Sequence, residues 1–311
     1  MRIHPCSDFF MSKKVVIQVA GPTAVGKTAL AIELAQWLST EIISFDSRQC
    51  YRELLIGVAR PSNEQLAAVP HHFIASHSIK ENVDATVFAM YAKQLVEELF
   101  KRQNVVVMVG GTGLYWKAFY EGLDQIPAVD PSLRMQLTTD FQQKGIEWLQ
   151  QTLEKEDPRF AALGEMKNPQ RMLRALEVLR TTGQSILSFR TAQIQKPFFD
   201  LIPIGLKAER ATLVERIDSR VDAMIRDGLI QEVESLQPFA SYNALQTVGY
   251  QELFAYLQNS LPLDQAVERI KINTRQYAKR QMTWFQKQDP INWFEADQFH
   301  AIQSYVGGLL D

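Results

Sequence analysis

An eight-residue segment near the start of the chain matches the phosphate-binding pattern G-x-x-x-x-G-K-T. In this pattern backbone amides close around phosphate oxygens at the positive end of a helix, the lysine adds a charge, and the final hydroxyl can bind Mg²⁺. The segment lies between an apolar run, residues 15–20, and a helix-favouring run, residues 29–35. We therefore predict a site for a phosphate compound, although the loop alone does not identify that compound. Its residues are Gly21, Pro22, Thr23, Ala24, Val25, Gly26, Lys27 and Thr28.

A conventional nucleotide hydrolase or kinase with this loop also needs a carboxylate that closes an apolar strand and holds the Mg²⁺ shell. The most apolar candidate strand ends instead in Gly110-Gly111-Thr112-Gly113. An acidic residue, Asp46, does follow another predicted strand, residues 41–45. The carboxyl edge of an open parallel sheet is where ligands bind. Asp46 can thus be a metal ligand, a cap of the following turn or a general base, and position alone favours a structural role.

Three other groups of polar residues admit both a structural and a functional interpretation. Thr112 either caps the helix that follows it or offers a hydroxyl to a substrate, and caps are commoner. Arg216 and Arg220, four apart on one predicted helix, either reach towards a phosphate or pair with neighbouring acidic residues. Without further information we expect the ion pairs. His71 and His72 have no third ligand at metal spacing and are expected to be structural.

Basic residues are unevenly distributed along the chain. With 33 Lys and Arg against 35 Asp and Glu, the net charge is −2, which argues mildly against a polyanionic partner. Residues 269–287, however, contain six Lys or Arg and no acidic residue, and residues 159–190 are also enriched in basic residues. On a helix, Arg275 and Lys279 point away from an apolar seam centred on Tyr277. This face is either simply exposed to solvent or a binding surface for phosphodiesters. The presence of two basic segments favours a polyanionic partner.

The elements that must position these residues alternate between strands and helices. The pattern predicts an α/β fold, namely a P-loop NTPase-like parallel sheet flanked by helices. Residues 122–197 contain no strand-like run, so we predict an all-helical insertion domain there, within a core domain formed by residues 13–121 and 198–311. Strands are predicted at residues 15–20, 41–45, 104–109, 201–206 and 291–294, and core helices near residues 85–102, 211–226 and 263–286.

Composition narrows the class of protein and its location. The 311 residues suffice for about two domains, and the 46% hydrophobic and 22% charged residues are typical of globular proteins. Only two cysteines, Cys6 and Cys50, occur, which excludes a disulfide framework and favours the cytoplasm. No apolar run approaches the roughly 20 residues of a membrane span. The first ten residues lack the apolar stretch of a signal peptide, and Met11 is an alternative start.

Six ordered motifs resemble those of the tRNA dimethylallyltransferase family, also called isopentenyl-tRNA transferases, from about residue 14 to residue 295. The chain ends without the C-terminal zinc finger of many eukaryotic members, so it is similar to the bacterial form. Its basic segments favour the branch that uses tRNA over the branch that prenylates free adenine nucleotides. The motifs are the phosphate loop, Asp46-Ser47-Arg48-Gln49 with Tyr51, residues 109–115, residues 170–177, Val248-Gly249-Tyr250 and residues 274–285.

The resemblance implies transfer of a dimethylallyl group from dimethylallyl diphosphate to N6 of the adenosine at position 37 of tRNA, beside the anticodon, with release of pyrophosphate. The loop would then hold the prenyl diphosphate rather than ATP, with Mg²⁺ bound through Thr28. By the same match, Asp46 is the general base, Thr112 contacts the reacting amine and the diphosphate, and Arg220 stabilises charge on the leaving group. A carboxylate base suits an exocyclic amine, which is a weak nucleophile.

The resemblance also implies contacts with the anticodon stem-loop of tRNA. Position 246 carries Gln where many relatives have Arg, so one phosphate contact is expected to be weaker. We further expect a cytoplasmic monomer without membrane association. The implied contacts, together with the basic pair Arg275 and Lys279, are Asp46, Ser47, Arg48, Gln49, Thr112, Arg134, Gln170, Arg171, Met172, Leu173, Arg174, Gln246, Thr247, Val248, Gly249, Tyr250 and Gln251.

The residues themselves leave two other functions open. A nucleotide or small-molecule kinase shares the phosphate loop, and the helical insertion would then act as a lid. A non-catalytic RNA-binding ATPase module would instead bind tRNA tightly and with strong salt dependence.

Overall fold

A computed structural model describes residues 13–190, 197–288 and 290–310. The alternative start at Met11 and the ten residues before it lie outside the described residues. The chain divides into two compact units, and the smaller unit spans Glu121–Gln195. The insertion predicted for residues 122–197 has nearly these bounds.

The larger unit contains a parallel six-stranded sheet, which confirms the predicted α/β class. The strand order is β3-β2-β4-β1-β5-β6. The strands are β1 (Val15–Ala20), β2 (Ile42–Ser44), β3 (His71–His72), β4 (Val105–Gly110), β5 (Asp200–Lys207) and β6 (Asn292–Glu295).

Helices cover both faces of this sheet, and the described part of the smaller unit is helical without a strand. In chain order the α-helices are α1 (Lys27–Trp37), α2 (Asn63–Ala68), α3 (Ala85–Leu99), α4 (Gly113–Tyr120), α5 (Pro131–Glu156), α6 (Pro158–Leu163), α7 (Pro169–Thr182), α8 (Arg210–Arg226), α9 (Leu229–Ser235), α10 (Tyr250–Leu257), α11 (Leu263–Phe285) and α12 (Phe299–Leu310).

Strands β1 and β4 are buried along their whole length because both of their faces are covered. Val16 and Met108 belong to one hydrophobic core, with helices α3, α4 and α11. Ile17 and Val107 belong to a second core on the opposite face, with α1 and α12. A continuous apolar run, rather than an alternating one, is therefore the expected sequence of such strands.

Strand register places the predicted functional segments on one edge of the sheet. Ala20 at the end of β1 is level with Gly110 of β4 and with Gly205 of β5. The phosphate loop, the Gly-rich turn and the segment after β2 consequently leave the sheet at the same carboxyl edge, where open α/β sheets bind ligands.

The smaller unit has a hydrophobic core of its own. Leu149 and Leu153 of α5 pack with Phe160 of α6 and Leu176 of α7. Gly145, at φ 78°, interrupts α5 with a backbone conformation that other residues rarely adopt.

Several short elements were not predicted from the sequence: α2, α9, α10 and β3, together with the terminal α12. The predicted strand at residues 41–45 is also shorter, at Ile42–Ser44. Helices of six to eight residues span too few turns to show a periodic pattern, and tertiary packing stabilises them instead. Among the described helices, none is both long and apolar enough to cross a bilayer.

Candidate active site at the carboxyl edge of the sheet

The phosphate loop links the end of β1 to the start of α1. Gly21 has φ 145°, and a Cβ there would lie 2.6 Å from the carbonyl oxygen of Leu206 in β5, so a larger residue does not fit. Gly26, at φ 109°, is the N-cap of α1. The Lys27 ammonium donates to the carbonyl of Pro22 at 2.7 Å and thus lies over the loop.

The pKa of the Lys27 ammonium depends strongly on its surroundings. This pKa is lowered to about 7, chiefly by burial; the negative charge of Asp46 opposes this shift and the positive charge of Arg220 adds to it. An anion bound in the loop would favour the charged form and raise this pKa. The lysine is therefore suited to an anionic ligand.

Arg220 of α8 contacts the loop directly, and the expectation of an ion pair for it is wrong. Its guanidinium donates to the Thr23 hydroxyl at 3.4 Å, and burial lowers its pKa. Two of the acidic residues on α8 are bound by α11, since Arg275 pairs with Asp218 and Lys271 pairs with Asp222. The positive charge of Arg220 consequently remains available beside the loop, as the functional interpretation requires.

Asp46, just after β2, holds the following turn and also faces the ligand cavities. Its Oδ1 accepts hydrogen bonds from the backbone amides of Arg48 at 2.8 Å and Gln49 at 3.2 Å. The capping interpretation is thus confirmed, but it does not exclude the catalytic one. The carboxylate also lines both cavities described below.

The Thr112 side chain does not cap its own helix, contrary to the structural interpretation. Its hydroxyl accepts from the Ser47 amide at 3.1 Å and donates to the Ser47 hydroxyl at 3.3 Å, while the first amides of α4 bond to the Thr112 carbonyl. Tyr277 of α11 lies beside this pair. Burial and the charge of Asp46 raise the pKa of the Tyr277 phenol to about 12, and a hydrogen bond with Thr112 partly offsets this shift.

The glycines around Thr112 make room for side chains from other elements. A Cβ at Gly110 would lie 2.6 Å from the ring of Phe45. A Cβ at Gly111 would overlap the side-chain amide of Gln281, and one at Gly113 would overlap the indole of Trp284. Sequence reasoning missed Gln281 and took Tyr277 only as part of an apolar seam. Both residues could have been identified as site candidates from their place in the motif at residues 274–285, which lies on α11.

Two connected cavities meet at these residues. The smaller, about 270 Å³, surrounds Lys27 and Thr28 of the phosphate loop. The larger, about 420 Å³, is lined by residues after β2 and by the segment before α10. Asp46 is the single carboxylate among the described residues that line either cavity. Both cavities are lined by Thr23, Asp46, Val58, Ala59, Arg220 and Tyr277.

Most of the residues in the larger unit that we predicted to contact tRNA line the larger cavity, but several of them form hydrogen bonds within the protein. Arg48 donates to the carbonyls of Asn243 at 2.9 Å and Ala244 at 3.2 Å, and so fixes the segment before α10. The Gln49 amide donates to the Ala59 carbonyl at 2.9 Å. The predicted residues that line this cavity are Asp46, Ser47, Arg48, Gln246, Thr247, Val248, Gly249 and Gln251.

Tyr250, predicted to contact tRNA, has no side-chain surface exposed in this structure. It is fully buried, and its hydroxyl donates to Glu232 at 2.6 Å. The Glu232 carboxylate also accepts the amides of Ile56 and Gly57, so Tyr250 supports one wall of the larger cavity from behind.

In the smaller unit, two of the predicted tRNA contacts belong to its core. Met172 and Leu173 are 0% and 5% exposed and pack inside the helical bundle, so their side chains present almost no surface to a partner. Arg134 forms a two-pronged ion pair with Glu177 at 3.0 Å, and Arg174 shares the same carboxylate. Gln170 and Arg171 are exposed at the start of α7.

The basic face of α11 is only partly available to a polyanion. Arg275 is engaged with Asp218 at 2.8 and 2.9 Å, whereas Lys279 is exposed and borders a separate groove between α8 and α11. Of the predicted seam, Ile270 is buried and Tyr277 is half-buried beside the site.

Both histidines contact groups within the protein. His72 contacts Glu41 at 2.6 Å, and His71 contacts the Val69 carbonyl at 2.7 Å. Across the described ranges, no cluster of three or more His, Cys, Asp or Glu side chains is arranged to hold a metal ion.

Comparison with known proteins gives one consistent result. The family model described as IPP transferase matches residues 49–288. The chain is similar to the tRNA dimethylallyltransferases of Christiangramia forsetii, with 46% identity over 94% of this chain and 98% of that protein, and of Cytophaga hutchinsonii, with 43% identity over 96% and 98%. Its fold is similar to a crystal structure of a tRNA isopentenylpyrophosphate transferase from Bacillus halodurans, with TM-score 0.70, 35% identity and coverage of 96% and 97%. A eukaryotic dimethylallyltransferase acting on tRNA has TM-score 0.73 and 26% identity, with coverage of 95% and 77%.

Proposed function

The chain belongs to the IPP transferase family, and from that premise we propose that it transfers a dimethylallyl group from dimethylallyl diphosphate to N6 of the adenosine at position 37 of tRNA, releasing pyrophosphate. The observation on which this proposal rests is the position of Asp46, which lines both the phosphate-loop cavity and the larger cavity beside it. A carboxylate at that junction can take a proton from an acceptor while the donor's leaving group stays in the loop.

The phosphate-loop cavity is suited to the diphosphate of the donor. Lys27 and Arg220 provide two partly buried basic groups there, and the loop leads into the N-terminus of α1, the positive end of that helix. As the bond between C1 of the prenyl group and the diphosphate oxygen breaks, the bonding pair leaves with the oxygen. The two cations stabilise the charge that develops there.

The larger cavity is suited to the acceptor base. Its volume of about 420 Å³ accommodates a nucleobase, and its wall combines the apolar Val221 and Ile270 with the polar residues after β2. An adenosine in a tRNA loop must leave its stack to enter such a cavity. Its N6 then attacks C1 of the donor, and a proton of the amine passes to Asp46 as the carbon–nitrogen bond forms.

The lining of the loop cavity is compatible with Mg²⁺. Thr28 offers a hydroxyl oxygen and Asp46 is the single carboxylate of the lining. This sparse set of oxygens fits Mg²⁺, which usually keeps several waters and binds through substrate phosphates. Thr28 would hold the ion, which would add positive charge beside the leaving diphosphate.

We further propose that exposed residues of the helical unit, Gln170 and Arg171, and the exposed Lys279 of α11 contact the anticodon stem-loop. The cytoplasm, where tRNA is processed, is the proposed location, and the protein is proposed to act as a monomer.

The test is mass analysis of nucleosides from unmodified tRNA that has been incubated with the protein and dimethylallyl diphosphate. We expect one adenosine per tRNA to gain a dimethylallyl group, with release of pyrophosphate. A parallel incubation uses γ-labelled ATP. Label transferred from ATP, with no prenylated adenosine, would instead establish the kinase alternative.

A further inference from the structure

Gln281 of α11 connects the two halves of the site through a single side-chain amide. Its Oε1 accepts the backbone N–H of Thr23 at 2.8 Å, and its Nε2 donates to the Gly111 carbonyl at 3.0 Å. The side chain is 5% exposed, so both of its polar ends are used inside the protein. An amide that is buried and hydrogen-bonded at both ends has little freedom to move.

The two groups that Gln281 holds belong to opposite sides of the proposed reaction. Thr23 lies in the phosphate loop and accepts from Arg220 at 3.4 Å, so it belongs to the donor side. Gly111 immediately precedes Thr112, whose hydroxyl bonds to Ser47 beside the proposed base. The amide therefore connects the cradle of the leaving group to the turn that carries the acceptor-side groups.

The chemistry of this link requires both an amide and a glycine. A glutamine presents an acceptor and a donor at once, which a carboxylate or an apolar side chain of the same length does not. The opposite position must lack a side chain, because a Cβ at Gly111 would overlap Nε2 of Gln281. The approach of α11 thus explains the glycines at positions 111 and 113.

We propose that Gln281 is a positioning residue that sets the separation between the diphosphate cradle and the Thr112–Asp46 side of the site. This inference rests on the proposed prenyl transfer. Transfer requires the prenyl carbon and the attacking amine to be held in line at contact distance. A displacement of about 1 Å can cost about 100-fold in rate. Gln281 touches the groups that hold the substrates, so its loss should slow the chemical step more than it weakens binding.

The experiment compares Gln281→Met and Gln281→Glu with the wild type and with Gln265→Met, an exposed glutamine on the same helix. Single-turnover transfer from dimethylallyl diphosphate to tRNA is measured with both substrates saturating, alongside the dissociation constants and the melting temperature. We expect the rate to fall by about 100-fold in both Gln281 variants. Substrate affinities should change little, and the control should behave as the wild type.

A second pair of variants tests the contact from its other side, in case the Gln281 variants fold poorly. Gly111→Ala should slow transfer when Gln281 is present but add little in a Gln281→Ala background, where the overlapping side chain is gone. Additive effects, or variants that melt normally and transfer at the wild-type rate, would overturn the positioning role alone. A wild-type protein that prenylates no tRNA would refute the proposed function as well.

Discussion

Replacing Asp46 by Asn separates its two roles. The amide oxygen of Asn can still accept from the amides of Arg48 and Gln49, which Asp46 binds at 2.8 and 3.2 Å, so the turn should persist. The neutral side chain cannot take the proton of the attacking amine. Loss of a general base costs about 10² to 10⁴ in rate, or about 3 to 5 kcal/mol of transition-state stabilisation.

The assay is single-turnover prenyl transfer to tRNA below pH 7 with saturating donor. These conditions matter because the charge of Asp46 raises the pKa of Lys27, so the substitution also lowers the positive charge beside the diphosphate near neutrality. Asp84→Asn is the matched control, since Asp84 accepts from two backbone amides at the start of α3 in the same way but lines neither cavity. Transfer by Asp46→Asn at the wild-type rate would refute the role of this carboxylate as a base.

Three further outcomes are expected. Affinity for dimethylallyl diphosphate should fall as the pH rises through about 7, because Lys27 loses its charge there. Binding titrations of the Lys27→Met variant should show weak affinity at every pH, without this decrease near pH 7. Lys279→Ala should reduce the slope of log affinity for tRNA against log salt by about one. Arg275→Ala should change that slope less, since its charge is already paired with Asp218, and equal slopes would contradict this reasoning. Met172→Ala should lower the free energy of unfolding by about 2 to 5 kcal/mol in a denaturant titration, because it truncates a side chain of the core. An unchanged free energy of unfolding would contradict the burial of Met172.

Much of the fold could be predicted because buried positions produce recognisable patterns of apolar residues in the sequence. Strands β1 and β4 are covered on both faces and read as continuous apolar runs, and α11 shows a helical seam. Helices α2, α9 and α10 could not be predicted in this way. They have six to eight residues each, and packing against distant elements stabilises them.

The choice of partner for a polar side chain was the least predictable feature. Arg220 has Asp218 and Asp222 two positions away on its own helix, and their closeness in the sequence suggested ion pairs, although side chains two apart on a helix do not face each other. These carboxylates are instead bound by Arg275 and Lys271, about fifty residues further along the chain. Arg220 is thereby left to contact Thr23.

By itself, the sequence determined the phosphate loop, the parallel sheet around it and the place of Asp46 at the sheet's carboxyl edge. These features depend on local patterns of residue type and on the rule that parallel strands end together. Only the tertiary structure decided that Asp46 both caps a turn and borders two cavities, that Met172 and Tyr250 are internal, and that Gln281 ties the phosphate loop to Gly111. Such contacts join residues up to 258 positions apart, and their geometry depends on how whole elements pack rather than on any local pattern.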